Sequence, residues 1–194
     1  MSEVVTYKRE DQIAYISVNN PPVNALSLPV RQGLEAAFTM FANDNEAKAA
    51  ILICEGRTWI AGADITEFGK PPEDPWLPKV IHQMEANDKI IVAAIHGTAL
   101  GGGFETAMGC HYRCAVPSAK LGLPEGTLGL LARATGTQRL PRLIGVKRAL
   151  DAMISGAPFS ASNGLEWGAV DEIVDGDLRD GATQFTKKLL AANA

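Results

Sequence analysis

The stretch KIIVAAIHGTALGGGFETAMG, residues 89–109, joins three kinds of chain in one segment. Ile90 to Ile95 are apolar without alternation, as in a strand buried on both faces. A glycine turn follows, and a helix begins near Gly102. The first amides of a helix have no intrahelical partner, and the dipole there favours negative charge. Glycines also let another group approach the main chain closely. Two phosphate-binding patterns fail on spacing. The Walker pattern needs Lys after its last glycine, where this chain has Gly103, and a GxGxxG pattern started at Gly101 meets Thr106 at its third glycine. Two readings of the turn remain open: an oxyanion hole, or a tight packing turn between strand and helix.

Working outward, AAILICEG (49–56) repeats the apolar strand and ends at Gly56, and HYRCAVPSA (111–119) predicts a third. VVTYKREDQIAYISVN (4–19) predicts two short strands around a polar turn, with Ile13, Tyr15 and Ser17 alternating against Ala14, Ile16 and Val18. The two prolines of NNPPVNALS predict a loop. Leu34, Ala37, Phe38 and Phe41 have helical spacing across 30–43, as do Val80, Ile81 and Met84 in DPWLPKVIHQMEANDK. Non-alternating apolar strands separated by amphipathic helices indicate an α/β domain whose sheet is covered on both faces. After residue 126 the pattern turns helical: GVKRALDAMISG ends at Gly156, SASNGLEWG ends at Gly168, and DLRDGATQFTKKLLAANA runs to residue 194. No repeat or linker divides the chain, so residues 1–194 are expected to form one domain.

The composition is 46% hydrophobic and 21% charged, as in a soluble globular protein. A net charge of −4 gives no electrostatic reason to expect nucleic acid or an anionic membrane as partner. Arg139, Arg142, Lys147 and Arg148 form the nearest thing to a basic cluster, suited to one small polyanion. Cys54, Cys110 and Cys114 contain no CxxC pair and read as small buried apolar residues, in keeping with a reducing compartment. No signal peptide or membrane span is expected. His82, His96 and His111 form no HExxH pattern, and no metal site is expected. No GxSxG elbow is present. Trp59 reads as packing around the loop that follows it.

A second loop of the same chemical type, WIAGADITEF (59–68), follows the strand 49–54 and places Gly62, Ala63 and Asp64 in a turn. Together with HGTALGGGFE it resembles the crotonase superfamily of acyl-CoA enzymes, the enoyl-CoA hydratases and isomerases. LGLPEGTLGL, GTQRLPRLIG and WGAVDEIV extend the likeness in order, from about residue 4 to about 176, and are most similar to the hydratase/isomerase part of multifunctional β-oxidation enzymes. The resemblance implies a crotonase-like (ββα) spiral core with covering helices. It implies that the backbone amides of Ala63 and Gly102 hold the thioester oxygen, and that Glu105 and Glu125 hold the catalytic water. Ala25, Leu26, Ala61, Asp64, Ile65 and Gly101 match the substrate-binding positions. Coenzyme A enters as part of an acyl-CoA thioester, with no separate cofactor. The implied reaction adds water to a trans-2-enoyl-CoA to give a 3-hydroxyacyl-CoA; the alternatives are Δ3,Δ2-enoyl-CoA isomerisation and a non-catalytic acyl-CoA-binding module. The implied setting is the bacterial cytoplasm or a peroxisome, as a homo-oligomer or part of a multifunctional enzyme.

The chain departs from the family's pattern at three points. Arg133 and Thr135 of LARATG stand where small residues are usual. Gly126 replaces a bulkier apolar residue, which is expected to loosen Glu125. The usual C-terminal helices are expected to be lacking, in a shortened member or an N-terminal part of a multifunctional enzyme, and an exposed apolar patch is expected where they would dock.

Overall fold

The computed structural model describes residues 4–71 and 73–192. The first half of the chain runs β1 (Val5–Glu10), β2 (Ile13–Val18), α1 (Leu28–Asn43), β3 (Ala49–Cys54), α2 (Leu77–Glu85) and β4 (Ile90–Ile95). Then come β5 (Thr98–Leu100), α3 (Gly102–Gly109), β6 (Tyr112–Ala115) and β7 (Lys120–Gly122). The remainder is α4 (Gly136–Ile144), α5 (Val146–Ser155), β8 (Phe159–Ser160), α6 (Ala161–Trp167), β9 (Glu172–Ile173) and α7 (Leu178–Ala192).

Strands β1-β2-β3-β4-β6-β9 form one sheet in that order, antiparallel between β1 and β2 and parallel from β2 to β9. A smaller sheet runs β5-β7-β8, and single bridges extend its pattern from Ile60 to Ala99 and from Leu26 to Ala63. The chain therefore repeats one unit. A strand in the large sheet leads to a short extended piece in the small one, and a helix returns to the start. The units are β2, Leu26 and α1; β3, Ile60–Ala63 and α2; and β4, β5 and α3. Each return helix must cross the sheet because parallel neighbours cannot be joined by a tight turn.

Both faces of the large sheet are buried, and the strand residues sort by parity. Ala14, Ile16, Val18, Ala50, Leu52, Ile91, Ala93 and Ile95 face the main core with α1, α2 and α3. Ile13, Tyr15, Ile51, Val92, Ala94 and Cys114 face the opposite way, against Ala182 and Phe185 of α7. α7 is held in register by the Tyr15 hydroxyl, 2.8 Å from Thr183 Oγ1, and by the Arg179 guanidinium, 3.8 Å from the Tyr15 ring centroid. Cys54, Cys110 and Cys114 are free and buried. No helix among the described residues is long and apolar enough to cross a membrane.

Three expectations need correction. Residues 98–100, read as part of a glycine turn, are the strand β5. Ile60 N–H donates to Thr98 O at 3.2 Å and Leu100 N–H to Ile60 O at 3.1 Å, a pairing too short to leave a periodic signal in sequence. The region after 126 also contains β8 and β9, two residues each, set by neighbouring strands rather than by their own composition. Finally, Gly126 fits its turn closely instead of loosening it. A Cβ there would lie 2.7 Å from Met153 O, so only glycine lets the turn Pro124–Leu128 seat on α5. The end of the predicted C-terminal helix, residues 193–194, lies outside the described residues.

Candidate active site

α3 is the centre of the site. Its N-cap, Gly101, has φ 52°, a conformation glycine adopts without strain. A Cβ at Gly103 would lie 2.1 Å from Ile60 O, so the bare backbone of the helix lies directly on the preceding turn of the spiral. The turn is thus a tight packing turn, and that packing is what brings two loops together.

The first loop is set by the Leu26–Ala63 bridge. Leu26 N–H donates to Gly62 O at 2.9 Å, which turns the Ala63 N–H away from Leu26. A Cβ built on Gly102 would lie 3.8 Å from Ala63 N. Gly102 opens α3, so its own N–H has no intrahelical acceptor. Among the described residues neither of these two amides donates to a backbone oxygen. They form a pair of unpaired donors at a positive helix end, suited to an oxygen that gains negative charge.

Two carboxylates flank the same helix turn. Glu105 is 2% exposed; its backbone N–H donates to Gly101 O at 2.9 Å, and its Oε1 accepts from Gly136 N–H at 2.7 Å. Burial pushes its pKa up to about 7, and the Glu125 charge adds to the rise against the backbone donors of Gly136 and Ala134. Glu125, on the turn Pro124–Leu128, is half-buried and lies against Gly101, where a Cβ would meet its Oε1 at 2.8 Å. Burial raises its pKa as well. Its Oε2 is buried and has no hydrogen-bond partner among the described residues. Buried carboxylate oxygens are nearly always satisfied, so an orphan against Gly101, the N-cap of α3, marks a place where chemistry can occur.

The other predicted residues divide between the site's floor and its rim. Leu26 is buried beneath Gly102, where its side chain packs in the core. Ala61 is half-buried and donates to Val23 O at 3.1 Å, and Ala25 is half-buried with its carbonyl accepting from Asn20 Nδ2 at 2.9 Å. Asp64 caps the short 3-10 turn Ile65–Glu67 by accepting from Thr66 N–H at 2.9 Å, a bond that with the Thr66 hydroxyl holds its pKa below the usual range. Ile65 is exposed. Trp59 is fully buried, as expected. His96 is half-buried, with Nε2 3.0 Å from Gly56 O, and His111 Nδ1 accepts from Ile91 N–H at 3.0 Å. Both imidazoles are occupied by backbone groups.

Sequence reasoning missed the framework that holds the first loop. Arg31 of α1 is 8% exposed and donates to Leu26 O, Pro75 O and the Glu67 carboxylate at 2.7–2.8 Å. Glu67 also accepts from Leu28 N–H at 2.7 Å. One guanidinium thus ties α1 to both ends of the segment that follows Ala63. An arginine in the first turns of an amphipathic helix gives no signal of burial. Nor does the sequence show that Gly136, distant in the chain, supplies a donor to Glu105.

A family model described as enoyl-CoA hydratase/isomerase matches residues 8–194. The chain is 44% identical over 176 residues to a peroxisomal bifunctional enzyme of Danio rerio, covering 91% of this chain and 24% of that protein. It is 43% identical over 165 residues to a probable enoyl-CoA hydratase of Bacillus subtilis (strain 168), covering 81% and 64% respectively. The chain thus spans about a quarter of the bifunctional relatives' length. A solved enoyl-CoA hydratase from Bacillus anthracis superposes with a TM-score of 0.91 at 32% identity, over 97% of this chain and 77% of that one. The spiral of strand, short strand and helix is therefore the crotonase fold, and the chain belongs to the enoyl-CoA hydratase/isomerase family.

Proposed function

We propose that the chain hydrates trans-2-enoyl-CoA thioesters to 3-hydroxyacyl-CoA. The observation that carries this reading is the meeting of the buried Glu105 and the half-buried Glu125 with the unpaired amides of Ala63 and Gly102 around one helix end. The thioester oxygen accepts from both amides. Water held between the carboxylates loses a proton to one of them as its oxygen bonds to C3. The C2–C3 double-bond electrons move onto the thioester, and the enolate oxygen is stabilised by the two donors, each contributing about 3 kcal/mol in comparable sites. C2 then takes a proton from the carboxyl that carries one. The raised pKa of Glu105, about 7, suits this exchange, because a group titrating near neutral pH serves as both base and acid, and burial raises Glu125 in the same direction. Positions 25, 61, 64, 65 and 101 are read as the binding surface for the coenzyme and acyl parts, with Leu26 packed beneath it in the core and no further cofactor. A relative of Arabidopsis thaliana named as a peroxisomal fatty acid beta-oxidation multifunctional protein supports a place in fatty-acid β-oxidation.

A second reading, Δ3,Δ2-enoyl-CoA isomerisation, draws on the asymmetry of the pair. Glu105 is held by backbone donors, whereas Glu125 Oε2 is unpaired and free to carry a proton between carbons. The test follows loss of the enoyl-thioester absorbance of crotonyl-CoA with wild type, Glu105→Gln and Glu125→Gln. Hydration requires each variant to lose about 10²–10⁴-fold in kcat. Equal rates in all three would end the hydratase reading. Turnover of a 3-enoyl-CoA that needs Glu125 and ignores Glu105 would establish the second.

A further inference from the structure

Among the described non-glycine residues only Asp11, Asn24 and Thr135 have positive φ. Asp and Asn tolerate that conformation because a short polar side chain can bond locally. Thr135 does not have this excuse. Its Cβ is branched, and at φ 81° and ψ 6° it is a true outlier. Such a residue persists only where its surroundings hold it.

What holds it is visible. The Thr135 hydroxyl accepts from Arg139 Nε at 2.7 Å. The same guanidinium makes a two-pronged pair with Glu85 of α2, through NH1 to Oε1 and NH2 to Oε2, the latter at 2.8 Å. The planar fork of arginine matches a carboxylate in a fixed direction, so Glu85 fixes Arg139 and Arg139 fixes Thr135. Next to Thr135, the Gly136 N–H donates to Glu105 Oε1 at 2.7 Å, and the Ala134 backbone on the other side favours the charged carboxylate. A left-handed residue in such a turn lets neighbouring N–H groups converge on one anion. A Cβ at Gly136 would lie 2.8 Å from Glu105 Oε1, so any side chain there would push the carboxylate from its place.

We infer that Glu85, Arg139 and Thr135 form a brace that positions Glu105, with Thr135 strained into the left-handed conformation so that the Gly136 N–H is aimed at the carboxylate. These are positioning residues: they act on the reaction only through Glu105. The inference rests on the hydration reading for its kinetic consequence, while the brace itself has a readout of its own. It also accounts for the unusual LARATG segment. A side chain that disfavours the required backbone conformation is retained because its hydroxyl is anchored.

The test is a double-mutant cycle on the whole chain, with Arg139→Met and Thr135→Gly alone and together. Glycine adopts the left-handed conformation unaided and needs no brace. In the wild-type background Arg139→Met should lower kcat for crotonyl-CoA about tenfold or more, with KM moved far less, as expected for a misplaced catalytic group. In the Thr135→Gly background the same change should cost less than about twofold, the remainder appearing as coupling between the sites. Hydrogen exchange of the Gly136 amide should quicken by about tenfold in Arg139→Met and be unchanged in the double variant. Thr135→Val, which keeps the branch and removes the acceptor, should reproduce the Arg139→Met effects and stands in for it if that protein does not fold. Equal losses in both backgrounds, in kcat or in exchange, overturn the brace. A wild type without turnover overturns the hydration reading instead, and the exchange cycle still judges the brace.

Discussion

At the scale of single residues, the site is held against the interests of stability. Glu105 is buried and its pKa rises from an ordinary 4.5 to about 7. Between those values the native state keeps a proton that the unfolded state has released, so stability falls as pH rises through this window. Above pH 7 the whole cost of the buried charge is present; below 4.5 it vanishes. Glu105→Gln keeps an acceptor for Gly136 N–H and removes the charge. Urea denaturation should find the variant more stable than wild type by up to about 3 kcal/mol at pH 8, at about 1.4 kcal/mol per pKa unit, with the difference fading towards pH 4. A constant difference across that range would show that Glu105 does not titrate in this way. The identity of this residue was legible in the sequence as the carboxylate after a glycine run. Its environment was not, because Gly136 and Arg139 reach it only through folding.

At the scale of elements, α3 decides the geometry. A helix with glycine at 101, 102, 103 and 109 has poor intrinsic propensity, and its stability comes from burial on all sides. The glycines are there for close approach, as the packing of Gly103 on Ile60 O shows. Gly103→Ala should therefore destabilise the protein by about 3 kcal/mol or more, beyond an ordinary overpacked core, since the opposing atom is backbone and cannot rotate away. Thermal unfolding would reveal it, and hydration should fall in parallel because Gly102 and Glu105 share the helix. An alanine variant with the wild-type melting temperature would contradict the packing described. Burial periodicity gave α1, α2 and the four long strands clearly, since Ile16, Leu52 and Ile91 belong to runs long enough to show a pattern. β5, β8 and β9 have two or three residues each, and no pattern can be read from so few.

At the scale of the whole molecule, one face remains apolar. α5 buries Ala149 and exposes Val146, Leu150 and Ile154, which recur every four residues along one stripe. The turn Pro124–Leu128 seats on α5 and exposes Leu128, with Leu131 close behind in sequence. An apolar stripe is thus exposed on the element that supports Glu125. Contiguous apolar surface of this kind drives association. Sedimentation equilibrium of the wild type should show an average mass above 20.6 kDa that rises with concentration, while Leu150→Glu with Ile154→Lys should remain at 20.6 kDa. A wild type that is monomeric at every concentration would show that the stripe makes no contact of its own.

The sequence by itself determined the α/β class and the glycine loops, because apolar periodicity and local motif chemistry are properties of neighbouring residues, while the two glutamates were singled out by the resemblance to the crotonase family. Only the tertiary structure decided which groups meet. The Leu26–Ala63 bridge aims one amide, the contact of Gly103 with Ile60 brings the second beside it, and Gly136 grips Glu105 from a distant segment. Arg31 and Thr135 reveal their roles only there as well. Burial of a guanidinium and strain in a backbone angle depend on partners far away in the chain, and no local pattern encodes them.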